Sequence, residues 1–438
     1  MAADQQFDDV RMRGFARRTP VAEVWAWLEA HVAPLEGKKT PLTEAAGRVL
    51  AQEVVSPRNV PPFVRAMMDG YAVRAADTLG ASAYNPIRLL AAGQAGPGRP
   101  FSHPLLPGQA VQIMTGAPLP LEADAVLPAE MAEQQGDAVL ALGEVSPGKH
   151  VAPIGEDIAQ GVQVFQAGRL LRPQDVGVLA SLGLSEVVVV RRPRVRIMTT
   201  GDELLPAGAA WQPDHIYDAN GPMLQALVRR DGGMPEFCGI IPDRPEAILE
   251  ALRRPAHSTC WGAGQELAVG AAAGSPTAQK PDVVLISGGS SVGQEDHAPR
   301  LVAEHGRLIF HGLAMRPSSP TGIGLWEDRL VFLLPGNPVS CLCAYDFFAG
   351  RAVRGLGGRN MDWPYRRLTA PLARKVSSMI GRLDYLRVRL IEGQVEPLSI
   401  SGAGVLTTTT RADGFVLIPP ESEGYPAGAL VEVFLYDG

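Results

Sequence analysis

The stretch Asp282-Val283-Val284-Leu285-Ile286-Ser287-Gly288-Gly289-Ser290-Ser291-Val292-Gly293-Gln294-Glu295-Asp296 decides the fold. Its apolar opening reads as a buried strand, and a helical pattern follows at about 296–304. The Gly-Gly-Ser-Ser-Val-Gly run between them is too long for an ordinary turn. Working outward, apolar strands at 194–199, 237–241, 308–311 and 330–334 alternate with helical patterns at 220–230, 245–253 and 338–349. Alternation of this kind implies an α/β domain, a parallel sheet covered on both faces. Ligands of such sheets bind beyond the carboxyl ends of the strands. Two other strands also end in unusual loops there: Thr199-Thr200-Gly201-Asp202-Glu203-Leu204 and Pro335-Gly336-Asn337-Pro338-Val339-Ser340.

Glycine lets backbone approach a ligand closely, and the free N–H groups of a following helix or turn favour an anion. The three loops therefore read as a phosphate cradle built from Thr200, Gly201, Asp202, Ser287, Gly288, Gly289, Ser291, Gly293, Pro335, Gly336, Asn337, Pro338 and Ser340. Carboxylates crowd the same loops: Asp202, Glu203, Asp218, Asp243 and Asp296. A carboxylate beside a phosphate repels it unless a cation intervenes, so a Mg²⁺ ion bridging the acids to a phosphate is expected. Against this, Asp218 and Asn220 serve equally well as helix caps, and Asp243 as the cap of the helix that starts at Pro245.

Composition narrows the function classes. The chain has 438 residues with 40 Lys and Arg against 46 Asp and Glu, a net charge of -6, which argues against a nucleic-acid partner held by bulk charge. Forty-eight glycines and 38 prolines point to many short elements and tight turns. No apolar window is long enough to span a membrane, and no apolar core follows the N-terminal arginines, so a cytoplasmic protein without a membrane partner is expected. Four cysteines (Cys238, Cys260, Cys341, Cys343) make no disulfide framework, and the histidines show no metal-ligand spacing. Gly143-x4-Gly148-Lys149 imitates a phosphate-binding loop, but His150 supplies no hydroxyl where Ser or Thr is needed.

Elsewhere, Thr19-Pro20 reads as the cap and first residue of a helix that buries Val21, Val24 and Leu28, with a second helix over about 44–52. Short apolar runs between Gly/Pro turns mark a β domain at 57–149, and a helix returns at 173–182. The expected division is a discontinuous helical domain (1–56 with 150–190), the inserted β domain (57–149), the α/β domain (191–357) and a C-terminal β domain (358–438). A Gly/Ala/Pro-rich insertion occupies 255–280, at the sheet end opposite any site. In the β domain, Met67-Met68-Asp69-Gly70-Tyr71-Ala72-Val73 and Ile113-Met114-Thr115-Gly116-Ala117-Pro118 each place a polar group at a turn, and Gly155-Glu156-Asp157-Ile158 beyond it is similar.

These motifs, with Ser56-Pro57, Val60-Pro61 and Ile216-Tyr217-Asp218-Ala219-Asn220, stand in an order that resembles the MoeA family of molybdopterin molybdenumtransferases, which includes the E domain of gephyrin. The resemblance runs from about Thr19 to Gly438. It implies a four-domain fold with a molybdopterin-binding-type α/β domain, an elongated helical domain and a C-terminal β barrel. It implies the last step of molybdenum cofactor synthesis, in which adenylylated molybdopterin and the substrate molybdate react, AMP leaves and Mg²⁺ assists. It also implies a homodimer whose β domain completes the partner's site, and contacts with molybdopterin adenylyltransferase and molybdoenzymes. By this likeness Asp69, Thr115, Glu203, Asp243 and Asp296 are catalytic, with Glu203, Asp243 and Asp296 holding the metal, and Asp157 and Arg316 bind substrate. Where the family usually has Lys-Pro-Gly-Lys-Pro, this chain has Arg316-Pro317-Ser318-Ser319-Pro320, so Arg316 replaces one cation and Ser319 the other. Two other readings share these residues: a weakened paralogue that carries molybdopterin or its cofactor, and a molybdopterin adenylyltransferase.

Overall fold

The computed structural model describes residues 15, 17–254, 280–290, 296–399 and 402–436. The chain falls into two compact units, Lys39–Val189 and Met1–Lys38 with Val190–Gly438. Ser291, Gly293 and the stretch 255–279 of the insertion lie outside the described residues.

In the unit Lys39–Val189, six short strands form one sheet in the order Ala125–Pro128, Gly70–Val73, Gln109–Ile113, Ile87–Ala95, Ala138–Ala141, Ala132–Gln135. Alternation along a strand sends neighbouring side chains to opposite faces. Tyr71 and Val73 accordingly join Leu89, Leu127 and Val139 in one core, while Ala72 joins Val111, Ile113 and Val126 in another. Gly70 admits no side chain, because a Cβ there would lie 2.1 Å from the carbonyl oxygen of Leu127. The segments 39–56 and 150–189 share a third core, with Ala45, Leu50, Phe165, Leu171 and Leu179 buried together. The helix expected over 44–52 is absent. A single 3₁₀ turn, Leu42–Glu44, is followed by a turn through Gly47, which takes a left-handed φ of 75°. The backbone beyond turns outward, with Gly47 N–H bonded to Leu171 O and Leu50 N–H to Arg169 O.

The second unit is built on a six-stranded sheet: β1 (Arg194–Thr200), β2 (Met234–Ile241), β3 (Val283–Ser287), β4 (Arg307–His311), β5 (Gly322–Trp326) and β6 (Arg329–Leu334), in the spatial order β2-β1-β3-β6-β5-β4. Strands β2, β1, β3 and β6 are parallel, but β5 runs antiparallel to β6 and to β4. The all-parallel expectation is corrected by β5, which the sequence hides. Its hairpin turn uses Glu327 and Asp328 at left-handed φ values of 47° and 64°, without the Asn-Gly or Asp-Gly pair that announces such a turn.

Both faces of this sheet are covered, as the apolar strands demand. Val195, Ile197, Val283, Leu285 and Phe332 point into a core with α1 (Asn220–Arg230) and the helix Val21–His31. Met198, Val284, Ile286 and Leu333 point the other way, onto α2 (Pro245–Arg253) and α3 (Ala298–His305). The helix Val21–His31 thus belongs to this unit's core rather than to the segment 150–190 with which the sequence reading grouped it. It begins at Val21, and Thr19 forms a parallel bridge to Leu313 instead of capping it. After β6, α4 (Pro338–Ala344) runs through a π-helical turn, Tyr345–Ala349, into the helix Gly350–Leu356.

The last strands are β7 (Arg366–Pro371), β8 (Leu383–Ile391), β9 (Gln394–Ser399), β10 (Gly414–Ile418) and β11 (Leu430–Leu435). They form a curved sheet, β8-β10-β11-β7 with β9 on β8, whose free edge takes the two-residue strand Met315–Arg316.

Gly70→Ala should lower unfolding free energy by about 3 kcal/mol, since the backbone carbonyl it meets cannot rotate away. Chemical denaturation of the two proteins checks this, and an unchanged midpoint would refute it.

Candidate functional site

Strand register assembles the site. Thr199 pairs with Ser287, Ser287 with Leu334 and Thr200 with Ile241, so four parallel strands end in one row. The loops beginning at Gly201, Pro242, Gly288 and Pro335 leave the sheet side by side. Strand β4 ends at the same edge, because His311 pairs with Gly322 and Gly322 with Leu333.

Asn220 binds these loops together. Its side-chain amide donates to Ser287 Oγ at 2.9 Å and to the Gly336 carbonyl at 2.7 Å, which fixes the start of α1 to the ends of β3 and β6. Asp218 is a helix cap, as one of its two readings had it. Its Oδ1 accepts the N–H groups of Asn220 and Gly221, each at 3.0 Å, and its Oδ2 accepts the Thr199 hydroxyl at 3.2 Å. Asn220 is no mere cap, since it spans two loops.

Asp243 is different. The helix α2 has no side-chain cap, and Asp243 Oδ1 is buried without a hydrogen-bond partner. Thr200 Oγ1 is buried as well; it lies near enough to Asp243 to pull against that carboxyl's rise in pKa, but neither oxygen makes a well-formed hydrogen bond. Both oxygens face Gly289, where a Cβ would lie 3.2 Å from the threonine oxygen and 4.0 Å from the carboxylate. At Gly288 a Cβ would lie 2.4 Å from the Thr200 carbonyl, so both glycines keep this cradle open. Buried polar oxygens left unpaired cost stability and call for an explanation by function or ligand. Burial pushes the Asp243 carboxyl above its ordinary range; the neighbouring Thr200 hydroxyl works against this, and the charges of Asp202 and Glu203 reinforce it. The Asp243 N–H also donates to Asp202 Oδ1 at 3.3 Å, so Asp202, Glu203 and Asp243 form one acidic group.

The expected set of Glu203, Asp243 and Asp296 does not close into a metal cage; no group of three such ligands forms among the described residues. Asp202 and Glu203 follow β1 and meet Asp243 after β2, whereas the charge of Asp296 acts on His311, which ends β4. His311 Nε2 donates to the Ser290 carbonyl at 3.0 Å, and burial holds its pKa below the ordinary value despite that bond and Asp296.

The third loop is less open than expected. Pro338 has no N–H, and the Val339 N–H is taken by the Ala403 carbonyl at 3.0 Å. Ser340 contributes its carbonyl to Ser318 Oγ at 2.6 Å. Arg316 is not free to receive an anion with its full fork. It makes a bidentate pair with the fully buried Asp384, which also accepts Ser378 Oγ at 2.7 Å. Sequence reading missed Asp384 as the partner, because residues 68 apart meet only through the edge pairing of 315–316 with β8.

In the other unit, Asp69 and Thr115 come together as a pair. Asp69 Oδ1 accepts the Thr115 N–H at 2.7 Å and its hydroxyl at 2.8 Å. Gly70 opposite Ile113 sets this register. The Thr115 N–H, then its hydroxyl, hold the Asp69 carboxyl below its ordinary pKa. Both side chains are exposed, between the exposed Met67 and Met114. Asp157 is exposed as well, its N–H bonded to Val60 O at 3.0 Å.

With this geometry in view, comparison with known proteins is decisive. Residues 19–183 match the family described as MoeA N-terminal region (domain I and II), 196–260 and 265–354 the "Probable molybdopterin binding domain", and 369–436 the MoeA C-terminal region (domain IV). Molybdopterin molybdenumtransferase 2 of Mycobacterium tuberculosis is 34% identical over 404 residues, covering 90% of this chain and 94% of its own. The molybdopterin molybdenumtransferase of Haemophilus influenzae is 30% identical over 93% of this chain and 95% of its own. The chain belongs to the MoeA family. Two crystal structures of the molybdopterin biosynthesis MoeA protein from Pyrococcus horikoshii superpose with TM-scores of 0.79 and 0.74, at 32% and 31% identity, each covering 96% of this chain and 100% of that one. The MoeA fold is thus a multidomain arrangement of mixed sheets, with the glycine cradle inside the molybdopterin-binding match.

Two outcomes follow from the shifted carboxyls, Asp243 in one unit and Asp69 in the other. Asp243 has a raised pKa, so its contribution favours the fold below the carboxyl's unfolded value and is lost as pH rises through the folded value. Asp243→Asn should therefore melt no lower than the parent at pH 7, with any advantage vanishing toward pH 4; a lower melting temperature at pH 7 would contradict this. Asp69 has a lowered pKa, so its stabilisation is present above the unfolded value and lost as pH falls through the folded one. Thr115→Val should move the Asp69 titration upward in an NMR pH series, yet leave it below an ordinary Asp because the backbone N–H remains.

Proposed function

We propose that the protein is a molybdenum insertase, ligating molybdenum from molybdate to the dithiolene of adenylylated molybdopterin with release of AMP. The observation that carries this reading is the pair of buried oxygens, Asp243 Oδ1 and Thr200 Oγ1, which have no partner but each other at the Gly288-Gly289 cradle, in a family whose curated relatives are named molybdopterin molybdenumtransferases. The donor set suits Mg²⁺, a hard ion that takes one or two carboxylates, keeps several waters and shares its remaining positions with substrate phosphate. Asp243, with Asp202 or Glu203, would hold it. When bound, the ion neutralises phosphate charge where the linkage to AMP breaks.

The chain's own residues do the rest. Gly288 and Gly289 let backbone come within reach of the phosphates, and Thr200 offers a hydroxyl there. Asn220 keeps the loops in register through Ser287 and Gly336. Three acids without a cation repel the substrate, which makes binding depend on the metal. The finer elements of the reading are a four-domain division with a C-terminal barrel, a homodimer in which Asp69, Thr115 and Asp157 of one copy face the other's cradle, and a cytoplasmic location. In support of the last, no helix among the described residues is long and apolar enough to cross a membrane.

The test is AMP release from adenylylated molybdopterin, with molybdate and Mg²⁺ supplied. Molybdate-dependent AMP release is expected, falling at least ~100-fold in Asp243→Asn with the fold intact. Pterin binding without AMP would indicate a carrier, and consumption of ATP with bare molybdopterin an adenylyltransferase.

A further inference from the structure

The turn 312–321 leaves β4 at the same edge of the sheet as the glycine cradle. It touches two of the site loops, through His311 to the Ser290 carbonyl and through Ser318 Oγ to the Ser340 carbonyl. The surroundings are acidic, with Asp202, Glu203, Asp243 and Asp296 in the neighbouring loops, while the substrates proposed above are anions. The one cation within the turn's own sequence, Arg316, has its fork engaged by Asp384. Burial disfavours the charged form of His311.

A second guanidinium reaches this turn from far away in sequence. Arg18 Nε donates to Ser319 Oγ at 2.9 Å, and Ser319 in turn donates to the Leu313 carbonyl at 3.0 Å. Among the described residues no carboxylate pairs with Arg18, so its terminal NH₂ groups remain available beside the turn. The segment that carries it is fixed. Thr19 N–H bonds to Gly312 O at 2.9 Å and Ala314 N–H to Thr19 O at 2.8 Å, an isolated parallel bridge that ties the segment to the turn. Phe15 packs edge-on against His311, with ring centroids 4.9 Å apart. Gly312 has a left-handed φ of 84°, and a Cβ there would lie 2.3 Å from the Phe15 ring. Backbone pairing and a glycine notch thus hold a guanidinium against a turn that borders the cradle.

We infer that Arg18 is a substrate-binding residue, which supplies from the N-terminal segment the positive charge that receives a tetrahedral oxyanion at the 316–320 turn. The oxyanion is either free molybdate or the phosphoryl group of the pterin nucleotide. This rests on the proposed activity, since only an anionic substrate gives the charge a purpose at this edge. Guanidinium to oxyanion bonding is strong because it is charge-assisted and fork-shaped.

The experiment compares the full-length protein with Arg18→Gln, Arg18→Lys and Arg18→Gln/Ser319→Lys. In steady-state AMP release, Arg18→Gln should raise one KM about tenfold or more while kcat changes little. A rise confined to molybdate assigns the site to the free oxyanion, and one confined to the pterin nucleotide assigns it to the phosphoryl group. Arg18→Lys and the double variant, which puts an ammonium at the same turn, should recover most of the loss, which a merely structural role would not allow. Equal KM values for both substrates in Arg18→Gln would overturn the inference while leaving the activity standing. Absence of AMP release by the parent would instead defeat the proposed activity; equilibrium binding of molybdate to parent and Arg18→Gln then decides Arg18 alone, a weaker Kd supporting the role and an equal Kd refuting it.

Discussion

The row in which four parallel strands end is the constraint on which the rest depends. Hydrogen-bonded register sets Thr199 beside Ser287, Ser287 beside Leu334 and Thr200 beside Ile241, and a slip of one residue would send every following side chain to the wrong face. That register is fixed by burial on both sides, since alternate residues of the same strands feed two separate cores. The loops have little freedom left after that. Asn220 bridges two of them, and Asp218 anchors Asn220, so a buried polar chain transmits the order of the sheet to the cradle.

Against this rigid frame, the acidic group is held in a state that folding alone does not favour. Asp243 is half withdrawn from water, has an unpaired oxygen and lies near two further carboxylates. Such a site costs stability on its own, and proteins retain arrangements of that kind where they serve binding or chemistry. Arg316 shows the opposite logic. Its charge is paired with buried Asp384 and fastens the end of β4's following turn to the C-terminal sheet, so an arginine standing in a site motif works for architecture.

Much of this was legible in the sequence because its signals are local. Apolar runs followed by glycine loops announced β1, β3 and β6, and the α/β class with its covered faces followed from their alternation with helices. Asp69 and Thr115 were singled out as turn residues and family positions, and the structure brings them into direct contact. What escaped depends on positions distant in sequence or on unusual dihedrals. Strand β5 was hidden by a Glu-Asp turn that carries no glycine. The helix expected over 44–52 loses to long-range backbone bonds to Arg169 and Leu171. Asp296 was grouped with Glu203 and Asp243 by motif, and the charge it places on His311, at the end of β4, is a contact that no motif announced. Asp384 and Arg18 reach their partners across 68 and 301 positions, beyond any periodicity a single sequence displays.

The cation proposed for Asp243 and the neighbouring acids at the glycine cradle can be located by diffraction. Anomalous scattering from crystals soaked in Mn²⁺, with the pterin nucleotide present, tests its placement directly. One strong peak is expected within about 2.2 Å of Asp243 Oδ1, the range of Mg²⁺-like oxygen coordination, and it should be lost in Asp243→Asn. A peak that touches none of Asp202, Glu203 and Asp243, or one that survives the substitution unchanged, would contradict that placement.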